Sequence, residues 1–551
     1  MSIKNPIDRY YFIFVCLALL ILFIGLGSYG LAESSEARYA EISREMFLSG
    51  DYLNPQLLGI FHFHKPPITY YITTLGYRIF GVNEFGARFF LQIAVAVQLL
   101  LIYGLGNLLF KNKKIAFLSG LIYFSMPIVL ISSRNLTTDA YLTTFIMAAI
   151  YSWQYYTNTK KVFFLYLFYA LLGVALLTKG PVAILFILVY IISCKVIFKD
   201  KFRINIHHIL GIILCLAIGA SWYILVMIEN PKLWTYFIEK QIAGRMTGSS
   251  FSERSKPFWY FIPIVTALLL PWLIGLVPNL KNRLKSIPKL RNASRLLFAS
   301  SVLLILMFSI FSTKLSLYIL PVFWMIAIFI AANLNHFSAT GIRFIIFSFL
   351  VILSLLFTGL LICWYGDFEF INISTSAVIV AFLVNVSAFV ISYYIDAEKS
   401  YKPAVIAATF GAAIILIGSM VLKTNDAMIN STRNMVHFIN NISEKKDKTI
   451  LVHDYLLRSI PFYSDARFIT LKSNHRTTNR EVQFQNNEEW KQQLWDIKEE
   501  AGFSKLKRVS KVPNTFLLLR NRTDLNDSLQ VLTNNFNYKK TYPKWTIFYN
   551  K

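Results

Sequence analysis

The chain has 551 residues, of which 56% are hydrophobic and only 15% are charged. This composition excludes one large soluble globule, and its repeated apolar runs of roughly 18 to 25 residues are typical of a polytopic helical membrane protein. The net charge of +26 does not indicate a nucleic-acid partner, because the basic residues flank apolar runs instead of forming a soluble stripe.

The lengths of the apolar runs predict about thirteen transmembrane helices. The first run follows Lys4 and Arg9 and is longer than a signal-peptide core, so we expect it to be retained, with the N-terminus in the cytoplasm. Every predicted inside loop is then basic, as in KNKK at 111–114. The predicted spans are 10–32, 85–109, 115–133, 137–157, 162–178, 181–198, 207–228, 257–279, 294–312, 315–336, 341–364, 373–394 and 404–422.

A charged loop lies between the first two predicted spans. Its segment ESSEARYAEISREM places Tyr39, Ile42 and Met46 at helical spacing, so these residues can share one apolar face. With Ser35 as N-cap and Gly50 as stop, the pattern predicts a short amphipathic helix on the membrane surface. Charge held at a membrane face beside apolar helices is where we expect chemistry.

The acids of this predicted helix allow two interpretations. Glu36, next to the end of a span, is a candidate functional carboxylate, and Glu33 lies just before it. We expect Glu41 and Glu45 to solvate an exposed helix face. Arg38 is expected to have a secondary, structural role.

The same loop ends in HFHKPP. Pro66 and Pro67 stiffen the backbone, so Lys65 is fixed beside His62 and His64 and can meet an anionic ligand. Along an extended strand the two histidines fall on one side, where a divalent metal is an alternative ligand. The sequence indicates no other cofactor.

More polar residues fall on the predicted outer face. The segment 229–256 predicts a second interfacial helix around Trp234 and Phe237, followed by Arg245. Asp139 stands at the start of a span, where it is either a functional acid or a helix N-cap.

Three cations at the ends of apolar runs complete this face. Lys179 lies in TKGP, and Lys314 lies in FSTKLSLYILP. Lys314 either snorkels to the interface or, with Tyr318 one helical turn away on the same face, aims two donors at a phosphate. Arg88, in GVNEFGARFF, is expected to brace the loop by pairing with an acid.

Composition changes near residue 424, where long apolar runs end and polar residues become common. This change predicts a membrane domain, 1–423, and a soluble α/β domain, 424–551. Predicted strands of that domain are 449–455, 466–471, 515–522 and 544–550, and predicted helices are 487–500 and 524–535.

Several of these motifs are similar to one known family. EARYAEISREM, GDYLNP, HKPP and GVNEFGARFF resemble glycosyltransferase family 83, the lipid A aminoarabinose transferase-like enzymes, which are related to the dolichyl-phosphate-mannose protein mannosyltransferases. The resemblance continues through LTTD, TKG, PFWYFIPIVTALLLPW and KLSLYIL, over about residues 10–330. It implies the GT-C fold, with many spans, interfacial helices in the first outer loop and a soluble outer domain.

The resemblance also implies roles for single residues. The family contacts the donor phosphate at the positions of Lys65, Arg245 and Tyr318. Lys314 lies close to Tyr318 in the sequence. Glu36 matches the Glu of the family's Asp–Glu pair.

Two positions depart from the family pattern. The Asp of that pair is Ser35 here, and the acid before the KPP lysine is His64. Because a serine cannot act unaided as a general base, either Glu36 or Glu33 takes the acceptor's proton, with Asp139 orienting Glu36, or a different acceptor is used.

These features predict an inverting glycosyltransferase in the bacterial inner membrane. It would move a sugar from a polyprenyl-phosphate donor to lipid A or to another glycan or protein acceptor, with the active site and C-terminal domain facing the periplasm. The alternatives are a protein O-mannosyltransferase-like enzyme and a flippase for a lipid-linked sugar. The enzyme is favoured over the flippase because the ionisable residues collect at one face and no matching pair of broken spans is evident.

Overall fold

The computed structural model describes residues 5–199, 204–244, 255–279, 290–366, 368, 371–394, 400–443, 448–522 and 527–551. The chain folds as two units. The first, called here the helical unit, comprises residues 1–26, 64–69 and 88–424, and the second, the sheet unit, comprises 27–63, 70–87 and 425–551. This division differs from the predicted domains, 1–423 and 424–551, because two segments of the first loop group with the C-terminal segment.

The helical unit consists of helices that follow one another through short connections. Two helices, Ile68–Phe80 and Glu84–Phe110, contribute residues to both units. The other α-helices of this unit are Pro6–Phe23, Lys113–Phe124, Pro127–Arg134, Thr138–Thr159, Val162–Lys179, Val182–Phe198, Ile206–Gly219, Ser221–Glu229, Lys232–Thr235, Phe261–Leu268, Leu270–Ile274, Asn292–Ile310, Phe323–Asn333, Ala339–Tyr365, Thr375–Tyr394 and Tyr401–Thr424. A π-helix spans Tyr236–Ala243, and 3-10 turns span Phe258–Tyr260, Val277–Asn279, Ser316–Val322 and Leu334–His336.

The described residues contain eight helices that are long and apolar enough to cross a membrane, and two bent helix pairs raise this number to ten. The first pair bends by 60° where Pro127 opens its second helix, because proline has no amide hydrogen to continue the preceding helix. The remaining predicted spans, at 137–157, 181–198 and 257–279, are helical but shorter or less apolar. The prediction of a multi-pass helical membrane protein is confirmed.

Burial within the helical unit follows from this apolar composition. Trp324 and Tyr190 are fully buried, with ring centroids 6.0 Å apart. Other large apolar side chains face outward: Ile310 is 71% exposed, and Phe347 and Leu355 are each 65% exposed. In a membrane protein such outward faces are covered by lipid, so their exposure agrees with the spans.

The sheet unit contains a hairpin, a six-stranded sheet and short helices. The hairpin strands are β1 (Gln56–Leu57) and β2 (Ile60–Phe61). The sheet has the order β5-β4-β3-β6-β8-β7, formed by β3 (Thr449–His453), β4 (Arg467–Lys472), β5 (Leu494–Asp496), β6 (Thr515–Arg520), β7 (Tyr538–Thr541) and β8 (Trp545–Tyr549). Strands β5, β4, β3 and β6 are parallel, whereas β8 pairs antiparallel with both β6 and β7. The helices are Ser35–Ser49, Arg433–Ile442, Ile460–Tyr463, Glu500–Val509 and Asp527–Thr533.

The four predicted strands of this unit correspond to β3, β4, β6 and β8, and the helix predicted at 524–535 to Asp527–Thr533. The predicted helix 487–500 is wrong. Its residues form a 3-10 turn, Glu489–Gln492, and then β5, in which Trp495 is buried and pairs with Leu471 of β4. Sheet pairing and the burial of Trp495 outweigh the helical propensity of the charged residues around it.

Candidate functional site

The amphipathic helix of the first loop forms where the sequence predicts it, over Ser35–Ser49. Its apolar face is buried: Tyr39, Ile42 and Met46 are at most 3% exposed. Gly50 ends the helix with a φ of 71°, which favours glycine. The predicted N-cap is wrong by one residue, because Ser34 is the N-cap, with a φ of 88°, and Ser35 is the first helical residue.

Glu36 lies in the first turn of this helix and is only 2% exposed. The Ala32 amide donates to Glu36 Oε2 at 2.8 Å. A carboxylate in this position is stabilised by the free amides and the dipole of the helix N-terminus. The side chain is therefore held in place by its own loop.

Glu33, the other candidate base, is bound to the C-terminal segment of the same unit. Its carboxylate accepts hydrogen bonds from the Ser459 amide at 2.8 Å, from the Ser459 hydroxyl and from the Arg458 amide at 3.2 Å. These three donors occupy most of the lone-pair directions of the carboxylate. The geometry thus favours Glu36 over Glu33 as the candidate general base.

Glu41 and Glu45 do not solvate an exposed face, so that prediction is wrong. Glu41 is fully buried and accepts two hydrogen bonds of 2.8 Å from Arg44. Burial raises the pKa of Glu41 to about 8; Arg44 opposes this shift, and neighbouring Glu45 adds to it. Sequence periodicity did not reveal the burial of Glu41 and Glu45, because it identifies the apolar face of a helix and does not show which elements pack against its other faces.

Glu45 fixes the hairpin that precedes the HKPP motif. Its carboxylate accepts hydrogen bonds from the amides of Leu58 and Gly59, the latter at 3.1 Å. Both residues have positive φ, 53° and 66°, as a two-residue turn between paired strands requires. The Glu45 carboxylate therefore holds the turn from β1 to β2 by accepting hydrogen bonds from two turn amides.

The HKPP segment lies between β2 and the helix Ile68–Phe80. Lys65 is half-buried, and both prolines after it are buried. The His64 ring lies 6.0 Å from the Tyr236 ring, and the His62 amide donates to the Pro55 carbonyl at 2.7 Å. The described residues contain no group of three or more His, Cys, Asp or Glu side chains placed to hold a metal, so His62 and His64 are not supported as a metal site.

In the helical unit, Asp139 and Lys179 form a buried ion pair. Asp139 lies in the first turn of Thr138–Thr159, and Lys179 is the last residue of Val162–Lys179. Each charge thus complements the dipole of its own helix. Lys179 Nζ also lies 4.2 Å from the centroid of the Tyr318 ring, within the range of a cation–π interaction. The N-cap alternative for Asp139 is wrong, since Thr137 occupies that position.

Lys314 and Tyr318 do not share a helical face as predicted. Helical structure begins at Ser316, as a 3-10 turn, so Lys314 precedes it in an extended segment. Lys314 is 2% exposed and donates to the Lys256 carbonyl at 2.8 Å, so it does not snorkel to the surface. Burial lowers the pKa of Lys314. The cation over the Tyr318 ring is Lys179 instead.

Three further predicted residues have the following positions. Arg88 is fully buried and donates to the Leu26 carbonyl at 3.0 Å, so it braces the end of the first helix through a backbone oxygen. Arg38 lies over the Tyr39 ring at 5.3 Å. Arg245 lies outside the described residues. The predicted second helix forms as an α-helical turn, Lys232–Thr235, followed by the π-helix Tyr236–Ala243. In that segment Trp234 is 60% exposed.

The fold and these residues can be compared with known proteins. Residues 64–225 match the family model described as dolichyl-phosphate-mannose-protein mannosyltransferase. The chain is similar over its whole length to ArnT from Cupriavidus metallidurans bound to undecaprenyl phosphate, with a TM-score of 0.76, 22% identity and 98% of both chains covered. The apo form of the same protein gives a TM-score of 0.77 at 20% identity, covering 99% of this chain and 98% of that one. The chain therefore has the GT-C fold.

Curated relatives of this GT-C protein agree with that assignment. The chain is 32% identical over 300 residues to undecaprenyl phosphate-alpha-4-amino-4-deoxy-L-arabinose arabinosyl transferase 2 of Proteus mirabilis, a match that covers 54% of each protein. It is 30% identical over 338 residues to the transferase of the same name, without the number, from Erwinia tasmaniensis, covering 60% of this chain and 61% of the relative. The matched part thus spans little more than half the length of these relatives. The resemblance to the aminoarabinose transferase-like family is confirmed.

Proposed function

We propose that this GT-C protein transfers a sugar from an undecaprenyl-phosphate donor to a lipid A-like acceptor at the periplasmic face of the bacterial inner membrane. The observation that carries the proposal is the identity of about a third to relatives named as undecaprenyl phosphate-aminoarabinose transferases. The donor sugar is accordingly an amino pentose. The predicted topology supports the periplasmic location, because every predicted inside loop is basic.

The donor's phosphate is the leaving group, and cations stabilise it. We assign this role to Lys65, Lys314, Arg245 and the hydroxyl of Tyr318. Burial of Lys314 supports the assignment, because a charge removed from water interacts more strongly with a developing negative charge. Lys179 lies over one face of the Tyr318 ring and holds the ring in place.

Glu36 is the proposed general base. An acceptor hydroxyl attacks the anomeric carbon, the bond from that carbon to the phosphate oxygen breaks, and the hydroxyl proton passes to Glu36 with inversion. No covalent enzyme intermediate is needed. A positioned base contributes about two to four powers of ten in rate. Asp139 acts only electrostatically, because Lys179 already occupies its carboxylate.

The test compares lipid A from a deletion strain with lipid A from complemented strains, by mass spectrometry. Wild-type protein is expected to restore an amino-pentose increment, whereas Lys65→Ala is expected to restore none. Lys505→Ala, which removes an exposed lysine from the helix Glu500–Val509, is the matched control and should behave as wild type. Turnover by Glu36→Gln at saturating substrate should fall by at least about a hundredfold, and an unchanged rate would contradict the assignment of the base.

A protein acceptor is the second candidate. The match of residues 64–225 to the protein mannosyltransferase model favours it. If lipid A is unchanged in the deletion strain while a glycoprotein loses a hexose, the acceptor is a protein and the lipid A proposal fails.

A further inference from the structure

The six-stranded sheet of the sheet unit contains a topological switch point. None of the described residues assigned to the transfer reaction lies at this position. The chain passes from β3 to β4 and β5 on one side, and then returns to place β6 on the other side of β3. In open parallel sheets, ligands bind outside the carboxyl ends of the strands at this kind of position. The residues that follow β3 and end β6 are therefore where a ligand of this unit is expected.

A stack of rings and a guanidinium occupies that edge. Arg520, the last residue of β6, lies over the ring of Tyr455, which follows β3, at 5.0 Å. The Tyr455 ring centroid is 5.0 Å from that of His475, which follows β4, and 5.4 Å from that of Trp545, the first residue of β8. Side chains from the ends of four strands thus meet at one point. Arg520 and His475 are exposed, whereas Trp545 is buried beneath them.

The charge at this edge is positive. Arg522 and Lys544 are also exposed there, just after β6 and just before β8. Asp454, the acid that directly follows β3, is already saturated by the Ser473 hydroxyl and by the amides of Ser473 and Asn474 at 2.7 and 3.0 Å. Burial would raise the pKa of Asp454, but these hydrogen bonds outweigh it and lower the pKa. Asp454 therefore shapes the loop after β4 and does not neutralise Arg520.

A buried polar atom lies next to this loop. His453, the last residue of β3, is 4% exposed, and its Nδ1 has no hydrogen-bond partner among the described residues. Buried polar atoms are usually satisfied by protein, water or ligand. The edge therefore combines an exposed guanidinium and aromatic surface, and the buried imidazole of His453 lies at the end of the neighbouring strand β3.

We infer that this edge binds the phosphorylated sugar headgroup of the acceptor lipid, with Arg520 as the phosphate ligand and the ring stack around Tyr455 and His475 as the surface for the sugar. A guanidinium matches a phosphate bidentately, and aromatic faces suit the apolar face of a sugar ring. The identity of the natural ligand rests on the proposed function. Binding itself is tested without any transfer reaction.

The test is calorimetric titration of the full-length protein in detergent with glucosamine 1-phosphate. Arg520→Ala is expected to weaken binding at least about tenfold, and Arg520→Lys less, because lysine keeps the charge without the bidentate geometry. Arg508→Ala is the matched control: it removes an exposed arginine from the helix that precedes β6, at the opposite edge of the sheet, and should leave binding unchanged. Thermal unfolding of each variant verifies that it folds.

Two comparison ligands test whether the site recognises the sugar and the phosphate together. Unphosphorylated glucosamine and inorganic phosphate should each bind at least about tenfold more weakly than glucosamine 1-phosphate. Equal binding of inorganic phosphate, or equal binding of glucosamine 1-phosphate by wild type and Arg520→Ala, would overturn the inference.

A transfer assay separates this inference from the proposed function. Arg520→Ala should raise KM for the acceptor and leave binding of undecaprenyl phosphate unchanged. Transfer by wild type with an unaltered acceptor KM in Arg520→Ala would leave the function standing and refute the site. Glucosamine 1-phosphate binding that depends on Arg520, in a protein that transfers nothing to lipid A, would support the site and refute the function.

Discussion

In the helical unit the buried carboxylate of Asp139 pairs with one cation, Lys179, whereas in the sheet unit two carboxylates, Glu41 and Glu45, lie close together, with Arg44 bound to Glu41. The first arrangement is balanced in charge. In the second, called here the acid-rich pair, Arg480 also interacts with Glu45, yet burial with a like charge nearby raises the pKa of Glu41 to about 8. The balanced pair is one carboxylate with one cation, whereas the acid-rich pair holds a proton on Glu41 at neutral pH.

The largest expected effect is on the balanced pair. Lys179→Ala leaves the Asp139 carboxylate buried without its cation, so we expect a loss of about 3 to 5 kcal/mol in the free energy of unfolding. The measurement is denaturant unfolding in detergent. The double variant Asp139→Asn with Lys179→Ala should recover part of the loss, because it removes the unpaired charge. A double variant less stable than the single one would mean that the pair is not the source of the effect.

A smaller effect is expected in the acid-rich pair. Glu45→Ala removes the acceptor for the turn amides of Leu58 and Gly59 and should cost about 2 kcal/mol in the free energy of unfolding. Amide hydrogen exchange of the hairpin 56–61 should accelerate as well. Glu45→Gln, which keeps one carbonyl acceptor, is the matched control and should lose less. Unchanged exchange in Glu45→Ala would contradict the role of this carboxylate in fixing the turn.

The third prediction concerns pH. Because the pKa of Glu41 is raised to about 8 in the folded protein, the folded state binds more protons than the unfolded state between the ordinary pKa of Glu and about pH 8. The contribution of Glu41 to stability therefore falls as pH rises through that window, by at most about 1.4 kcal/mol per pH unit. Glu41→Gln should remove this fall, as measured by unfolding at pH 5, 6, 7 and 8. Parallel profiles for wild type and Glu41→Gln would show that Glu41 titrates normally.

The sequence predicted what depends on local periodicity. Apolar runs identified the helices, the spacing of Tyr39, Ile42 and Met46 identified the helix of the first loop, and the apolar, β-branched run TILVH identified a buried strand. Each of these patterns lies within a short stretch of chain and reports which side of that element is buried.

What depends on tertiary packing was missed. Periodicity could not show that Glu41 and Glu45 pack against a hairpin, because the partner lies outside the helix. The expected pairing of Lys314 with Tyr318 assumed an α-helix from residue 314, whereas the segment stays extended up to Ser316 and a lysine from another helix, Lys179, reaches the ring. The roles of Lys65 and Arg245 rest on the resemblance and stay predictions.

The composition of the sheet unit has a consequence for synthesis. Residues 27–63 and 70–87 leave the ribosome before residues 88–424, and their partners in the same unit, 425–551, leave last. At about 5 to 20 residues per second, the wait is on the order of tens of seconds. During that time the Glu33 carboxylate has not yet met Ser459, and a charged group of this kind favours water over the membrane interior. The charge of the first loop therefore also favours keeping this segment in water until residues 425–551 have been synthesised.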